Sequence, residues 1–108
     1  MLEIEKVLTV SAGHVTKETY ETLREDADVW INPDYPVIYT KGQYGVFINV
    51  PEDYITEKDG ENECSYPNLP LELYTLMNLA FENDCRWLCI DCDGPLVEGI
   101  EVYDDDYL

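Results

Sequence analysis

The segment LPLELYTLMNLAFENDCRWLCIDCDG, residues 69–94, decides the fold, because it joins the clearest helix of the chain to a short, strongly apolar strand. Pro70 suits the first position of a helix. Around it, apolar side chains recur at helical spacing at Leu69, Leu73, Leu76, Met77 and Ala80. Asn83 and Asp84 close that helix, and the apolar run over 86–90 predicts a strand that ends in a turn at 91–94.

The residues before this segment predict another strand and another helix. Alternation over residues 3–10 places one face of a strand at Ile4, Leu8 and Val10. Thr16 is predicted to cap the helix that follows. The inward stripe of that helix is formed by Tyr20, Leu23 and Ala27.

Two further strands complete the predicted topology. Residues 37–40 and 44–50 flank Lys41-Gly42-Gln43, which predicts a hairpin, and residues 97–103 predict an added edge strand. The core face of the second hairpin strand holds Tyr44, Val46, Ile48 and Val50. The order βαββαβ matches the ferredoxin-like arrangement. We therefore expect an α+β fold, a single domain over 1–108, with two helices on one face of an antiparallel sheet.

The charge balance restricts what this domain does. Lys and Arg number 6 and Asp and Glu number 24, so the formal net charge is -18. A protein that grips nucleic acid through its phosphates needs a basic face, and an anionic membrane surface would repel this chain. We therefore expect neither direct nucleic-acid binding nor membrane docking. The 45% of hydrophobic residues is too much for a disordered acidic tail.

The sequence also predicts a cytoplasmic protein. No apolar run approaches the ~20 residues of a membrane span. The first six residues carry acids where a signal peptide needs a basic start. Thiols are therefore expected at Cys64, Cys85, Cys89 and Cys92. Small buried hydrophobes are the favoured interpretation, and a zinc site requires the predicted strand over 86–90 to be wrong, because a strand separates the cysteine side chains.

The acids are grouped in blocks that predict a large negative surface, which attracts basic partners. One block lies on the first helix, one on a long acidic connection over 51–68, and one on a frayed tail over 104–108. A loop as long as 51–68 is commonly functional or mobile, and a solvated insert is the alternative. Solubility is the simpler explanation of the charge itself. The interaction residues predicted are Glu18, Glu21, Glu25, Glu57, Asp59, Glu61, Glu63, Asp104, Asp105 and Asp106.

The motif Asp91-Cys92-Asp93-Gly94, placed after an apolar strand, resembles the first motif of the haloacid dehalogenase phosphatases. In that family paired aspartates and Mg²⁺ transfer a phosphoryl group. Only 12 residues follow Pro95-Leu96, and they contain no Lys, so the rest of that machinery is missing. The favoured interpretation is a strand-ending turn in which Asp side chains cap backbone N–H groups.

His14 is the single histidine and follows Ser11-Ala12-Gly13. A role as general base or ligand is one interpretation, and a loop histidine bonded to local backbone is the favoured one. Antiparallel first and last strands would hold His14 and the pair Asp91 and Asp93 at opposite ends of the sheet. The sequence therefore predicts no catalytic set, no cofactor and no metal site.

Several short motifs together resemble an uncharacterised bacterial family, domain of unknown function 5983. They are the run Ser11-Ala12-Gly13-His14-Val15-Thr16, Trp30, and residues 44–47, 69–73 and 85–95. Members carry Ser-Thr-Ala-His-Ile-Thr near the start and Trp-Leu-x-Phe-Asp-x-Asp-Gly-Pro near the end. This chain departs at Ala12-Gly13, where the family has Thr-Ala, and at Ile90, where it has Phe. The resemblance implies a mobile-element accessory or anti-defence role. The positions that match the family motifs are His14, Asp91, Asp93 and Gly94.

The leading hypothesis is a small acidic interaction protein of a mobile element or phage-derived locus. It would bind a basic protein surface as a nucleic-acid mimic and inhibit a host defence enzyme. The alternatives are a metal-assisted hydrolase that uses Asp91 and Asp93 with His14, and a structural acidic domain. The oligomeric state is left open.

Overall fold

The computed structural model describes residues 5–29, 34–41, 45–58 and 60–103. Residues 1–4, 30–33, 42–44, 59 and 104–108 lie outside them, together with the predictions made for those positions, among them Trp30, Asp59, Asp104, Asp105 and Asp106. In chain order the elements are β1 (Lys6–Ser11), a 3₁₀ turn (Ala12–His14), α1 (Lys17–Asp26), β2 (Ile38–Lys41), β3 (Gly45–Asn49), β4 (Ile55–Lys58), β5 (Glu61–Cys64), α2 (Leu71–Glu82) and β6 (Cys85–Asp91).

Helix α1 begins at the predicted cap. The Oγ1 atom of Thr16 accepts a hydrogen bond from the N–H of Thr19 at 3.1 Å, which satisfies one of the donors left unpaired at a helix start. Glu18 in the first turn suits the positive end of the helix dipole. Leu23 and Ala27 are buried, so the predicted inward stripe is confirmed at these two positions.

Helix α2 follows Pro70, which lies just outside the helix rather than at its first position. Four of the five predicted apolar positions are fully buried, and Leu69 is 8% exposed. Full burial of one such side chain contributes about 1.5–3 kcal/mol to stability, so this face fixes the helix on the sheet. The fully buried residues are Leu73, Leu76, Met77 and Ala80.

The main sheet is mixed, with strand order β1-β6-β3-β2. Strands β1 and β6 are parallel, whereas β6 with β3 and β3 with β2 are antiparallel. The α+β class is confirmed, but the ferredoxin-like topology and the fully antiparallel sheet are wrong. The most apolar strand takes a central place, where Leu88, Cys89 and Ile90 are all 0% exposed. Its side chains are buried or partly buried on both faces of the sheet, which explains why β6 does not alternate.

One face of this sheet packs on the helices. Side chains that alternate along the strands, such as Val10, Ile48 and Ile90, form one buried cluster with Leu23 of α1 and residues of α2. The two helices therefore cover that face, as expected. Within the described residues, neither helix is long and apolar enough to cross a membrane.

The predicted acidic loop over 51–68 is wrong, because most of it is a two-stranded antiparallel hairpin of β4 and β5. Its base is tied to the core by Tyr54, which is 0% exposed and whose carbonyl accepts from the N–H of Ser65 at 2.8 Å. Gly60 adopts a positive φ of 81° between the strands. The dipeptide Asp59-Gly60 is the sequence signal that predicts this hairpin.

The predicted edge strand over 97–103 is also wrong. These residues form turns and extended chain, and we call residues 94–103 the strap. The carbonyl of Pro95 accepts from the N–H of Ser11, and the N–H of Tyr103 donates to the carbonyl of Gly13, both at 2.8 Å. The strap is thus held across the end of β1 instead of being paired along a strand.

Candidate functional site

The parallel pairing of β1 and β6 places Ser11 opposite Asp91. The chain leaves both strands at the same edge of the sheet, so the two sequence motifs meet there. The expectation that His14 and the pair Asp91 and Asp93 lie at opposite ends of the sheet is wrong, because it assumed antiparallel strands. We call residues 11–14 together with 91–103 the motif corner.

His14 is the buried centre of the motif corner, with 0% exposure. Its Nε2 atom accepts from the N–H of Val97 at 2.8 Å, and its Nδ1 atom lies 3.0 Å from the carbonyl oxygen of Glu101. An acceptor Nε2 and a donor Nδ1 are the two roles of a neutral imidazole. The histidine bonds to backbone, as favoured from the sequence, but that backbone is the remote strap and not the local loop.

The Asp-x-Asp-Gly motif forms the turn that starts the strap. The Oδ1 atom of Asp91 accepts from the N–H of Asp93 at 2.8 Å, as predicted for a strand-ending turn. A Cβ atom at Gly94 would lie 2.5 Å from the carbonyl oxygen of Val10. Glycine is therefore required for the strap to approach β1 so closely, and that need accounts for the Gly in the motif.

A cleft of about 250 Å³ adjoins the motif corner, and Glu72 and Tyr103 are among its lining residues. The Oε1 atom of Glu72 accepts from the hydroxyls of Thr16, at 3.1 Å, and Thr19. Burial acts to raise the pKa of the Glu72 carboxyl, but hydrogen bonds from Thr19, from Thr16 and from backbone N–H groups outweigh burial, and the pKa is lowered. The carboxylate thus joins the starts of α1 and α2 as a structural link.

The motif corner offers little for metal chemistry. Within 5–29, 34–41, 45–58 and 60–103, no three His, Cys, Asp or Glu side chains are grouped as metal ligands would be. Both nitrogens of His14 are engaged with backbone, and Asp91 is engaged with its own turn. The geometry therefore lends the hydrolase alternative no support.

The predicted interaction acids that the structure describes are all exposed. Glu18, Glu21 and Glu25 lie at spacings of three and four residues, so they share the outer face of α1. The others project from the hairpin of β4 and β5, Glu57 from one face and Glu61 and Glu63 from the other, and we call the helix set and the hairpin set together the acidic surface. The hairpin members are Glu57, Glu61 and Glu63.

Three of the six basic residues make polar contacts outside the acidic surface. Arg86 pairs with Glu52 at 2.7 Å, Lys6 donates to the carbonyl of Asn83 and Arg24 donates to the carbonyl of Gly45. None of these contacts involves a residue of the acidic surface.

The four cysteines are all free thiols. Cys85 and Cys89 are buried, as expected for small hydrophobes, whereas Cys64 and Cys92 are only partly buried. Cys92 follows the end of β6 and lies 3.5 Å from the hydroxyl of Tyr20. The thiols therefore serve packing at positions spread over three parts of the fold.

The face of the sheet opposite the helices carries a feature that the sequence prediction missed. An open groove of about 540 Å³ lies there, and among its lining residues Val7 is 46% and Tyr39 is 48% exposed. The sequence signal for this groove was the set of apolar and aromatic residues at the strand positions that alternate with the core positions. The strand register pairs Val7 with Trp87 and Tyr39 with Phe47 on that face. We call this feature the aromatic groove, and it is lined by Glu5, Val7, Tyr39, Phe47 and Trp87.

Comparison with known proteins yields one family. The family described as "Family of unknown function (DUF5983) C-terminal domain" matches residues 7–105. No curated protein and no solved structure matches the chain significantly. The match spans both motifs of the motif corner and both parts of the acidic surface.

Proposed function

This chain belongs to the DUF5983 family, and we propose that it is an acidic interaction protein that binds a basic protein surface. Its carboxylates take the place of nucleic-acid phosphates opposite Lys and Arg of the partner. The partner class is a nucleic-acid-binding enzyme of host defence, and the setting is a mobile element or phage-derived locus. The setting is proposed because the sequence motifs resemble those of this family.

The observation that carries the proposal is the exposure of all six described acids of the acidic surface on a domain of net charge -18. Like charge on a folded surface produces a field that steers a basic partner and speeds its encounter. Apart from Glu18, which suits the dipole at the start of α1, these side chains take no part in the core or in the helix caps. We therefore assign these acids a role in contacts with another molecule.

The arrangement on α1 supports the same conclusion. Glu21 lies three residues after Glu18 and four before Glu25, so like charges are neighbours on the helix. Such pairs destabilise a helix by about 0.2–0.5 kcal/mol each. At ~1.5 Å per residue, the carboxylates recur about every 5 Å along the axis. A row of this kind costs helix stability and presents regularly spaced anions, which suits recognition of cations.

The proposal is tested by competition. A labelled DNA duplex is bound to a basic restriction nuclease, and the chain is added at low salt; we expect the duplex to be displaced. The triple variant Glu18→Gln, Glu21→Gln, Glu25→Gln and the matched hairpin triple at 57, 61 and 63 should each displace it less well. The control triple Glu82→Gln, Asp84→Asn, Glu98→Gln makes the same charge change at other exposed acids and should behave almost as the wild type.

Two results would count against the proposal. Failure of the wild-type chain to displace the duplex from any of a panel of basic nucleases removes the mimicry. Equal losses in all three triples leave only net charge, and therefore solubility, as the role of the acids.

A further inference from the structure

The aromatic groove is an apolar surface that the described part of the chain leaves uncovered. The helices pack on the opposite face of the sheet, while Val7 and Tyr39 stay about half exposed here. Single exposed apolar residues are ordinary, but here Val7 and Tyr39 line one groove together with the partly exposed rings of Phe47 and Trp87, which makes the groove a candidate binding surface. The groove is therefore a candidate contact in its own right, separate from the acidic surface.

The aromatic rings of the groove are tilted relative to one another and are not stacked face to face. The centroids of Tyr39 and Trp87 are 5.9 Å apart with planes at 51°, and those of Phe47 and Trp87 are 6.5 Å apart with planes at 82°. The negative face of an aromatic ring attracts a cation placed within about 6 Å of its centre. Tilted rings that share one opening present such faces from more than one side.

A carboxylate completes the groove. The Nε1 atom of Trp87 donates to Oε2 of Glu5 at 2.8 Å, which orients the indole and keeps the acid at the groove. Its negative charge favours a cationic occupant over an uncharged apolar one. A stacked nucleic-acid base would bring its phosphates towards a chain of net charge -18, and a second copy of the chain would bring a second such charge.

We propose that the aromatic groove binds an arginine or lysine side chain of the basic partner. This inference rests on the proposed function and adds to it a site that does not depend on the acidic surface. Arginine fits better than lysine, because its planar guanidinium stacks on aromatic faces and pairs with a carboxylate. The acidic surface supplies long-range attraction, and the groove supplies a short-range contact that selects the bound orientation.

The test uses tetra-arginine as the probe and tetra-citrulline as its uncharged counterpart of the same shape. Binding is followed by NMR through the indole N–H signal of Trp87, which is assigned with Trp87→Phe. We expect tetra-arginine to shift this signal and tetra-citrulline to leave it in place. Tyr39→Leu and Phe47→Leu keep apolar bulk but remove a ring, and each should weaken binding about three- to fivefold.

Two further variants complete the test. Glu5→Gln removes the charge and should also weaken binding, whereas Leu71→Ala, at an apolar residue 73% exposed outside the groove, should change nothing. Equal shifts with tetra-citrulline, or unchanged affinity in both ring variants, would overturn the inference. If the basic nuclease still binds through the acidic surface, the proposed function survives that result. If no nuclease binds but tetra-arginine occupies the groove, the proposed function is contradicted, whereas the inference that the groove binds a cationic side chain stands.

Discussion

The Nε2 atom of His14 accepts a hydrogen bond from the N–H of Val97 at 2.8 Å, although the two residues lie 83 positions apart in the chain. The other ring nitrogen lies 3.0 Å from the carbonyl oxygen of Glu101. One buried side chain therefore joins the end of β1 to the strap. The sequence motifs around His14 and around Gly94 meet where the parallel strands β1 and β6 end, and the ring holds the two segments together.

Loss of the ring should loosen the strap. We expect His14→Ala to lower the free energy of unfolding by about 2–4 kcal/mol, because a buried side chain and two hydrogen bonds are lost. Urea denaturation measures the loss, and hydrogen exchange at the amides of Val97 and Tyr103 should quicken. Glu98→Gln, on the exposed side of the strap, should change neither. Unaltered exchange at Val97 in His14→Ala would show that the ring does not hold the strap.

Gly94 gives a second test of the same corner. A Cβ atom there would meet the backbone oxygen of Val10 at 2.5 Å, and backbone moves less readily than a side-chain tip. We expect Gly94→Ala to cost about 1–3 kcal/mol of stability through this clash. Gly60→Asn is the comparison, because Gly60 has a positive φ but open space around it, and Asn tolerates that conformation. A Gly94→Ala variant as stable as the wild type in urea would contradict the close contact.

Glu72 predicts a pH dependence with a definite sign. Its pKa is lowered in the folded chain, so its ionised form stabilises the fold at pH values above its ordinary pKa of 4.5. That contribution is lost as the pH falls through the lowered, folded-state pKa. Between pH 7 and about pH 3, the wild type should therefore lose more stability than Glu72→Gln. Parallel stability curves for the two proteins, measured by urea denaturation at each pH, would show that the hydrogen bonds from Thr16 and Thr19 do not favour the carboxylate.

Charge reversal on α1 should separate stability from binding. Glu25→Lys removes a like-charge pair with Glu21, creates an attractive pair in its place and puts a cation in the last helical turn. We expect the fold to gain about 0.5 kcal/mol while displacement of DNA from the basic nuclease weakens. Thermal unfolding and the competition assay are measured on the same sample. A variant that is more stable and competes equally well would place Glu25 outside the contact.

The sequence predicts the local elements well, because their causes are local. Thr16 caps α1 through its own hydroxyl, and the apolar spacing of α2 needs only the period of a helix. The order of the strands depends on contacts between distant residues, such as Val10 with Ile90, and no local pattern states that β1 and β6 are parallel. The prediction took these two strands as antiparallel and therefore placed His14 and Asp91 at opposite ends of the sheet.

Two other differences had signals in the sequence. The pair Asp59-Gly60 is typical of a hairpin turn, although the segment over 51–68 was expected to be a loop. The continuous apolar run in β6, with Trp87 and Cys89 on the face away from the helices, indicates a second partly covered face and hence the aromatic groove. The acidic surface was predicted from composition, since charged side chains stay exposed wherever the elements lie.

The salt dependence of binding tests the central claim most directly. The dissociation constant of the chain with the basic nuclease is measured from about 0.05 to 0.5 M NaCl, a range over which screening of exposed charges becomes strong. If carboxylates of the acidic surface meet Lys and Arg of the partner, the affinity should fall at least about tenfold, and less steeply for the α1 triple than for the wild type. An affinity that stays constant over this range, in the wild type and the triple alike, would contradict the account.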